Sequence, residues 1–231
     1  MNKINHKPAQ DIICDIILRI KKQVENALNY KKQKVALETD ERLNTEYREG
    51  QIKAINEKYL AELQETRAFI AEKLGVVAEI EKENESILDF DVPEFSETMA
   101  AINAAKGKLP EAVIYGIRDK FKGNYQVMAT IKAALEGAGV TLEPYKFNDY
   151  ATLAEESITR MIINAGNIET SADTSFISLG ELLDEIVYFA ECRGMVFGDD
   201  FKTFDPETAG AVAEVKDAIQ TQTAREAMGL A

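Results

Sequence analysis

Apolar positions in the first part of the chain recur three or four residues apart. Ile13, Ile17, Ile20, Val24 and Leu28 make one series; Ile52, Ile55, Tyr59, Leu63, Ile70 and Leu74, continued by Val77 and Ile80, make a second. Such spacing gathers each series on one face of a helix. Between Pro8 and Pro93 there is no proline, and Gly50 and Gly75 are the only glycines, so nothing obliges a helix to stop there. The pattern predicts an extended helical arm over residues 10–89. Its middle, Glu38 to Gln51, offers only Leu43 and Tyr47 as sizeable side chains. That stretch is either the solvated centre of one rod or the tip of a helical hairpin turning near Gly50. A rod over residues 10–74 would reach roughly 100 Å and cannot cover its own stripe. The stripe is covered only if the arm folds back in a coiled-coil-like hairpin, packs on the rest of the chain, or pairs with another copy.

Beyond the arm the periodicity changes. A tail at 1–9, the arm at 10–89, a linker at 90–95, a helical domain at 96–222 and a second tail at 223–231 are the expected divisions. Pro93 marks the linker. Helix breaks are expected at Gly107, Gly123, Gly137, Gly166 and Gly194, with Asn124 as a helix cap and Asp205-Pro206-Glu207 opening the last helix. Thr152 with Glu155, and Ser178 with Glu181, match capping boxes. Residues 140–147 are the best strand candidate, confined by Pro144 to an edge or loop, and Ser175 to Ile177 read as a short extended piece. The predicted fold is therefore all-α: a long amphipathic helix or helical hairpin, then a compact multi-helix domain with at most one minor β-hairpin.

Charge sharpens the division. Residues 1–89 carry 15 Lys and Arg against 17 Asp and Glu, and the remainder carries 12 against 23, within a chain of net charge −13. The acidic part repels phosphate. Only the stretch Arg19 to Lys34, with Arg19, Lys21, Lys22, Lys31, Lys32 and Lys34 against Glu25, offers a basic surface. Asp11 and Asp15 interrupt the one segment resembling a secretion signal, and no apolar run is long enough to span a bilayer.

Common catalytic constellations lack their residues. His6 is the sole histidine and stands in a polar tail ahead of Pro8, away from any nucleophile pattern. Cys14 and Cys192 lie inside helical patterns, far apart, and read as small buried residues. Neither a zinc-ligand spacing nor a phosphate-binding loop occurs. Glu155, Glu156, Glu181, Asp184 and Glu185 allow a carboxylate metal site if their helices are neighbours, as do Asp199, Asp200, Asp205 and Glu207 in one loop. Solvated surface explains both equally. Two aromatic groups, Phe197, Phe201 and Phe204, and Tyr145, Phe147 and Tyr150, read as core plugs or as exposed patches.

These features point to a non-enzymatic structural or assembly protein with no cofactor and no metal. It would self-associate or dock into a larger protein complex through Ile13, Ile17, Ile20, Val24, Leu28, Ile52, Ile55, Tyr59, Leu63, Ile70 and Leu74. Virus-particle scaffolds and adaptor subunits share this general organisation, although no motif here carries a family resemblance. The expected location is the cytoplasm, or a virion for a viral component, with no membrane contact. Two alternatives stand beside it: a metal-dependent enzyme built on Glu155, Glu181, Asp184 and Glu185, and a nucleic-acid-associated protein using Arg19 to Lys34.

Overall fold

Helix α1 spans Lys7–Thr39 and α2 spans Thr45–Glu85, so the arm is two helices and not one rod. The structure, a computed structural model, describes residues 3–171, 175–195 and 204–228. The turn lies at residues 40–44, ahead of the expected position at Gly50, which sits inside α2. Two side chains build it. The Asp40 carboxylate accepts from the Arg42 backbone N–H at 3.0 Å and from its guanidinium at 2.8 and 2.7 Å. Asn44 Oδ1 accepts from the Tyr47 N–H at 2.8 Å and so caps α2. The hydrogen bonds of Arg42 hold the Asp40 carboxyl down at about 2. Arg48 closes the loop by donating to the carbonyls of Asp40 and Leu43.

Seven further helices follow among the described residues: α3 (Phe95–Ala105), α4 (Glu111–Phe121), α5 (Tyr125–Gly137), α6 (Phe147–Tyr150), α7 (Ala154–Gly166), α8 (Ser175–Cys192) and α9 (Pro206–Ala227). There is no strand among the described residues. Where residues 140–147 suggested one, the chain makes a 3-10 turn at Glu143–Tyr145 and then α6. Phe147 and Tyr150, one helical turn apart, are both buried, a period of three that a strand would not place on one side.

Packing groups the chain into two compact units, each made of three separated stretches. The first takes the described residues of Met1–Asp11, Val76–Thr159 and Val187–Thr203. Its core joins Ile102, Ile114, Ile117, Phe121, Met128, Ile131, Phe147 and Cys192. Asn124 caps α5 as expected, accepting from the Val127 N–H at 3.0 Å. Gly123 and Gly194 hold positive φ and meet closely: a Cβ on Gly123 would lie 2.9 Å from the Arg193 carbonyl oxygen. Only glycine tolerates both demands.

The capping box expected at Thr152 does not form. Its hydroxyl donates to the Asn148 carbonyl, its own carbonyl accepts from Arg193, and the Glu85 carboxylate takes the Ala154 N–H at 2.8 Å. Proximity in space replaced proximity in sequence.

The second unit takes the described residues of Ile12–Gly75, Arg160–Ile186 and Phe204–Ala231. Here α1 and α2 pack together over Ile13, Ile16, Ile17, Ile20, Leu63, Ile70 and Leu74, in a unit whose core also holds Phe176, Leu179, Leu183, Val212 and Val215. Helix α8 begins at Ser175, so Ser178 lies within its first turn instead of capping it, and Ser175 to Ile177 are helical, not extended. The Asp205 cap forms as expected, with its carboxylate accepting from the Thr208 N–H and hydroxyl at 2.9 and 2.7 Å. No helix is long and apolar enough to cross a membrane among the described residues.

Candidate interaction surface

The apolar series predicted to meet a partner divides sharply in the folded chain. Ile13, Ile17, Ile20, Val24, Tyr59, Leu63, Ile70 and Leu74 are buried, whereas Leu28, Ile52 and Ile55 are only half-buried. For the first eight, the chain's own helices already supply the cover that the sequence left open.

The buried seam is also more polar than the hydrophobic pattern indicated. In the second unit it takes Ile13, Ile16, Ile20, Gln23, Ala27 and Tyr30 of α1 and Tyr59, Leu63, Thr66, Ile70 and Leu74 of α2; in the first unit Ala9, Val77, Glu81 and Asn84 are buried too. Within the second unit the polar members bond to one another and to neighbours. Arg19 Nε donates to the Thr66 hydroxyl at 3.0 Å, and that hydroxyl donates to Gln23 Oε1 at 3.2 Å. The Tyr59 hydroxyl pairs closely with that of Ser175. Burial raises the Tyr59 pKa, against the opposing pull of its hydrogen bonds. Reading the three-and-four spacing through polar as well as apolar residues would have located Gln23, Thr66, Glu81 and Asn84.

Beyond the two tyrosines the seam ends. The Tyr30 and Tyr59 rings meet at 5.3 Å between centroids, tilted by 33°, and no side chain from residue 31 to residue 58 is buried. Val35 is 47% and Tyr47 53% exposed. Leu28 and Val35 also line a groove of about 610 Å³, together with Lys31, Ala218, Thr221 and Arg225.

The basic stretch is partly committed within the chain. Lys21 pairs with Glu214 at 2.6 Å, Arg19 lies 3.7 Å from Glu65, and Lys31 sits 5.2 Å above the Phe176 ring. The carboxylates proposed as metal ligands are likewise engaged or dispersed. Asp184 pairs with Lys216 at 2.8 Å, Glu185 accepts from Asn164, and Glu155, Glu156 and Glu181 are exposed. No group of three or more His, Cys, Asp or Glu is arranged to hold a metal among the described residues. Asp199, Asp200, Phe197 and Phe201 lie outside the described residues; Phe204, Phe147 and Tyr150 are buried and Tyr145 half-buried. Burial pushes the Cys192 thiol up to about 12, which leaves it an unreactive thiol at neutral pH.

Comparison with known families, curated proteins and solved structures finds no match to this chain. The functional reading therefore rests on the molecule's own geometry.

Proposed function

We propose that this chain is a non-enzymatic helical structural protein that self-associates through the outer part of the α1–α2 hairpin. One observation carries the reading: from residue 31 to residue 58 two paired helices continue without a single buried side chain. Two-helix stretches of this kind have little intrinsic stability, since most helical stability in proteins comes from tertiary packing of an apolar face. Leu28, Val35, Tyr47, Ile52 and Ile55 are among the apolar groups left for such packing.

Charge favours a second copy as the occupant. Along the outer hairpin, Lys31, Lys32 and Lys34 precede a stretch around the turn in which Glu38, Asp40, Glu41, Glu46 and Glu49 outnumber Arg42 and Arg48. An antiparallel copy related by a two-fold axis would set each basic stretch against the other's acidic one. The driving force is burial of the apolar groups, at about 25 cal/mol per Å² before the cost of association.

Light scattering across a concentration series tests the proposal. The expected result is a mass above the 25.7 kDa of one chain that returns to monomer in the double variant Val35→Asp, Tyr47→Asp with helicity retained. A strict monomer throughout the series, with the helical signal intact, overturns it.

A further inference from the structure

The chain's only histidine is held between two acceptors. His6 stands one residue ahead of α1, with its side chain 18% exposed. Nδ1 lies 2.9 Å from each oxygen of the Glu81 carboxylate, which is fully buried, and Nε2 lies 2.6 Å from the Gly123 carbonyl oxygen. A carboxylate and a carbonyl only accept. Neutral imidazole has one N–H and one lone pair, so it satisfies one of them and turns its lone pair toward the other. The doubly protonated ring donates to both.

The residues around it extend the same attachment. Asn84 Oδ1 accepts from the Asn5 N–H at 3.0 Å, and Asn84 Nδ2 donates to the Asn5 carbonyl and to Glu81 Oε1, each at 3.1 Å. Four residues on, Gln10 Nε2 donates to the Met195 carbonyl at 3.0 Å. Beneath the segment, Ile80 and Ile87 are half-buried and share a cleft with Asn5 and Pro8.

We propose that His6 is a proton-operated latch: protonated, it pins the segment from Lys3 to Gln10 onto α2 and the α4–α5 turn, and loss of its proton releases that segment.

The surrounding charges support this arrangement. From α2, Glu81 favours the charged ring. From the end of α8, Arg193 opposes it, but that guanidinium is itself bound to Glu85 at 2.7 Å and to the Thr152 carbonyl. Lys120 and Lys122, from α4 and the turn after it, face Glu94 and Glu191 respectively, while Lys3 and Asp89 line the adjoining cavity of about 300 Å³. Burial pulls the His6 pKa down; the hydrogen bond and charge of Glu81, with the Gly123 carbonyl, more than offset it and leave the pKa raised above 6.5. A group raised on folding stabilises fully below its unfolded pKa, and that contribution fades as pH rises through the folded value. The latch thus holds at pH 6.5 and below, and opens above.

Because no other histidine exists, the imidazole proton resonance in a nuclear magnetic resonance titration belongs to His6 without assignment. Its midpoint should lie above pH 6.5. Hydrogen exchange over residues 5–11, corrected for the intrinsic rate, should lose protection by up to about tenfold per pH unit between about pH 6.5 and that midpoint and level off above it, with α9 unchanged. A midpoint at or below 6.5, or protection of residues 5–11 that ignores pH, overturns the latch. Glu81→Gln keeps the shape but removes the charge; it should lower the midpoint and leave residues 5–11 weakly protected at every pH. Retained wild-type protection in that variant also counts against the proposal. Should Glu81→Gln not fold, the wild-type titration and exchange decide alone.

Discussion

The inner and outer stretches of the α1–α2 hairpin are built from similar residues yet behave as different materials. Both carry isoleucine, leucine, valine and tyrosine at helical spacing. Inward of Tyr30 and Tyr59, most of those residues are buried, and so are even Gln23 and Thr66; outward, none is. Helical periodicity alone therefore does not specify a core. What distinguishes the inner stretch is density, with an apolar or small residue at nearly every seam position. Burial there repays the ordering of the side chains, whereas the outer stretch depends on its turn, its caps and, on our proposal, another copy.

The largest expected effect tests that contrast directly. Leu74→Ala should cost about 3 kcal/mol in denaturant unfolding, as for a fully buried leucine, whereas Ile52→Ala should cost under about 1 kcal/mol in dilute monomer. Equal losses at the two sites would erase the distinction between the stretches.

Next in size is the turn. Asn44→Ala removes the cap of α2 and should cost about 1 kcal/mol, and its effect on amide protection should stay within the outer hairpin. Exchange that rises equally at Leu63 and Ile70 would mean the two stretches unfold as one.

Thr66→Val sharpens the picture of the inner seam. It strips the hydroxyl that accepts from Arg19 and donates to Gln23, and a loss of about 1 kcal/mol is expected from the unpaired groups left behind. A gain in melting temperature would instead make the polar seam dispensable for stability.

The smallest effect has the opposite sign. Gly50 lies inside α2 with open space where a Cβ would go. Gly50→Ala should stabilise the outer hairpin by about 0.7 kcal/mol, the ordinary difference in helix propensity. Destabilisation by this change would place a tight contact at a position that is open in the structure.

Much of the local architecture was legible in the chain. Asn124 and Asp205-Pro206 do what such residues do at helix starts, the breaks at Gly107, Gly123 and Gly194 coincide with positive φ, and Gly137 and Gly166 are the last residues of α5 and α7. These signals act within a few residues, so sequence carries them. The hairpin turn was misplaced because a glycine was weighed above Asp40 and Asn44, whose side chains make the turn by bonding the backbone two and three residues on. The capping box at Thr152 failed for another reason, since a carboxylate 69 positions away, Glu85, took the amide. The polar tail around His6 carries no local sign of its site, because the partners, Glu81 and Gly123, are 75 and 117 positions distant.

The sequence by itself determined that the protein is helical, where most of its helices begin and end, and that it lacks common catalytic motifs. Those properties follow from periodicity, backbone preference and residue inventory, all local or compositional. Only the tertiary structure decided which apolar residues are consumed inside the chain and which remain on its surface. It also brought the Glu81 carboxylate and the Gly123 carbonyl, which raise its pKa, against the one histidine. Burial and electrostatics depend on distance in space, and side chains far apart in sequence determine both.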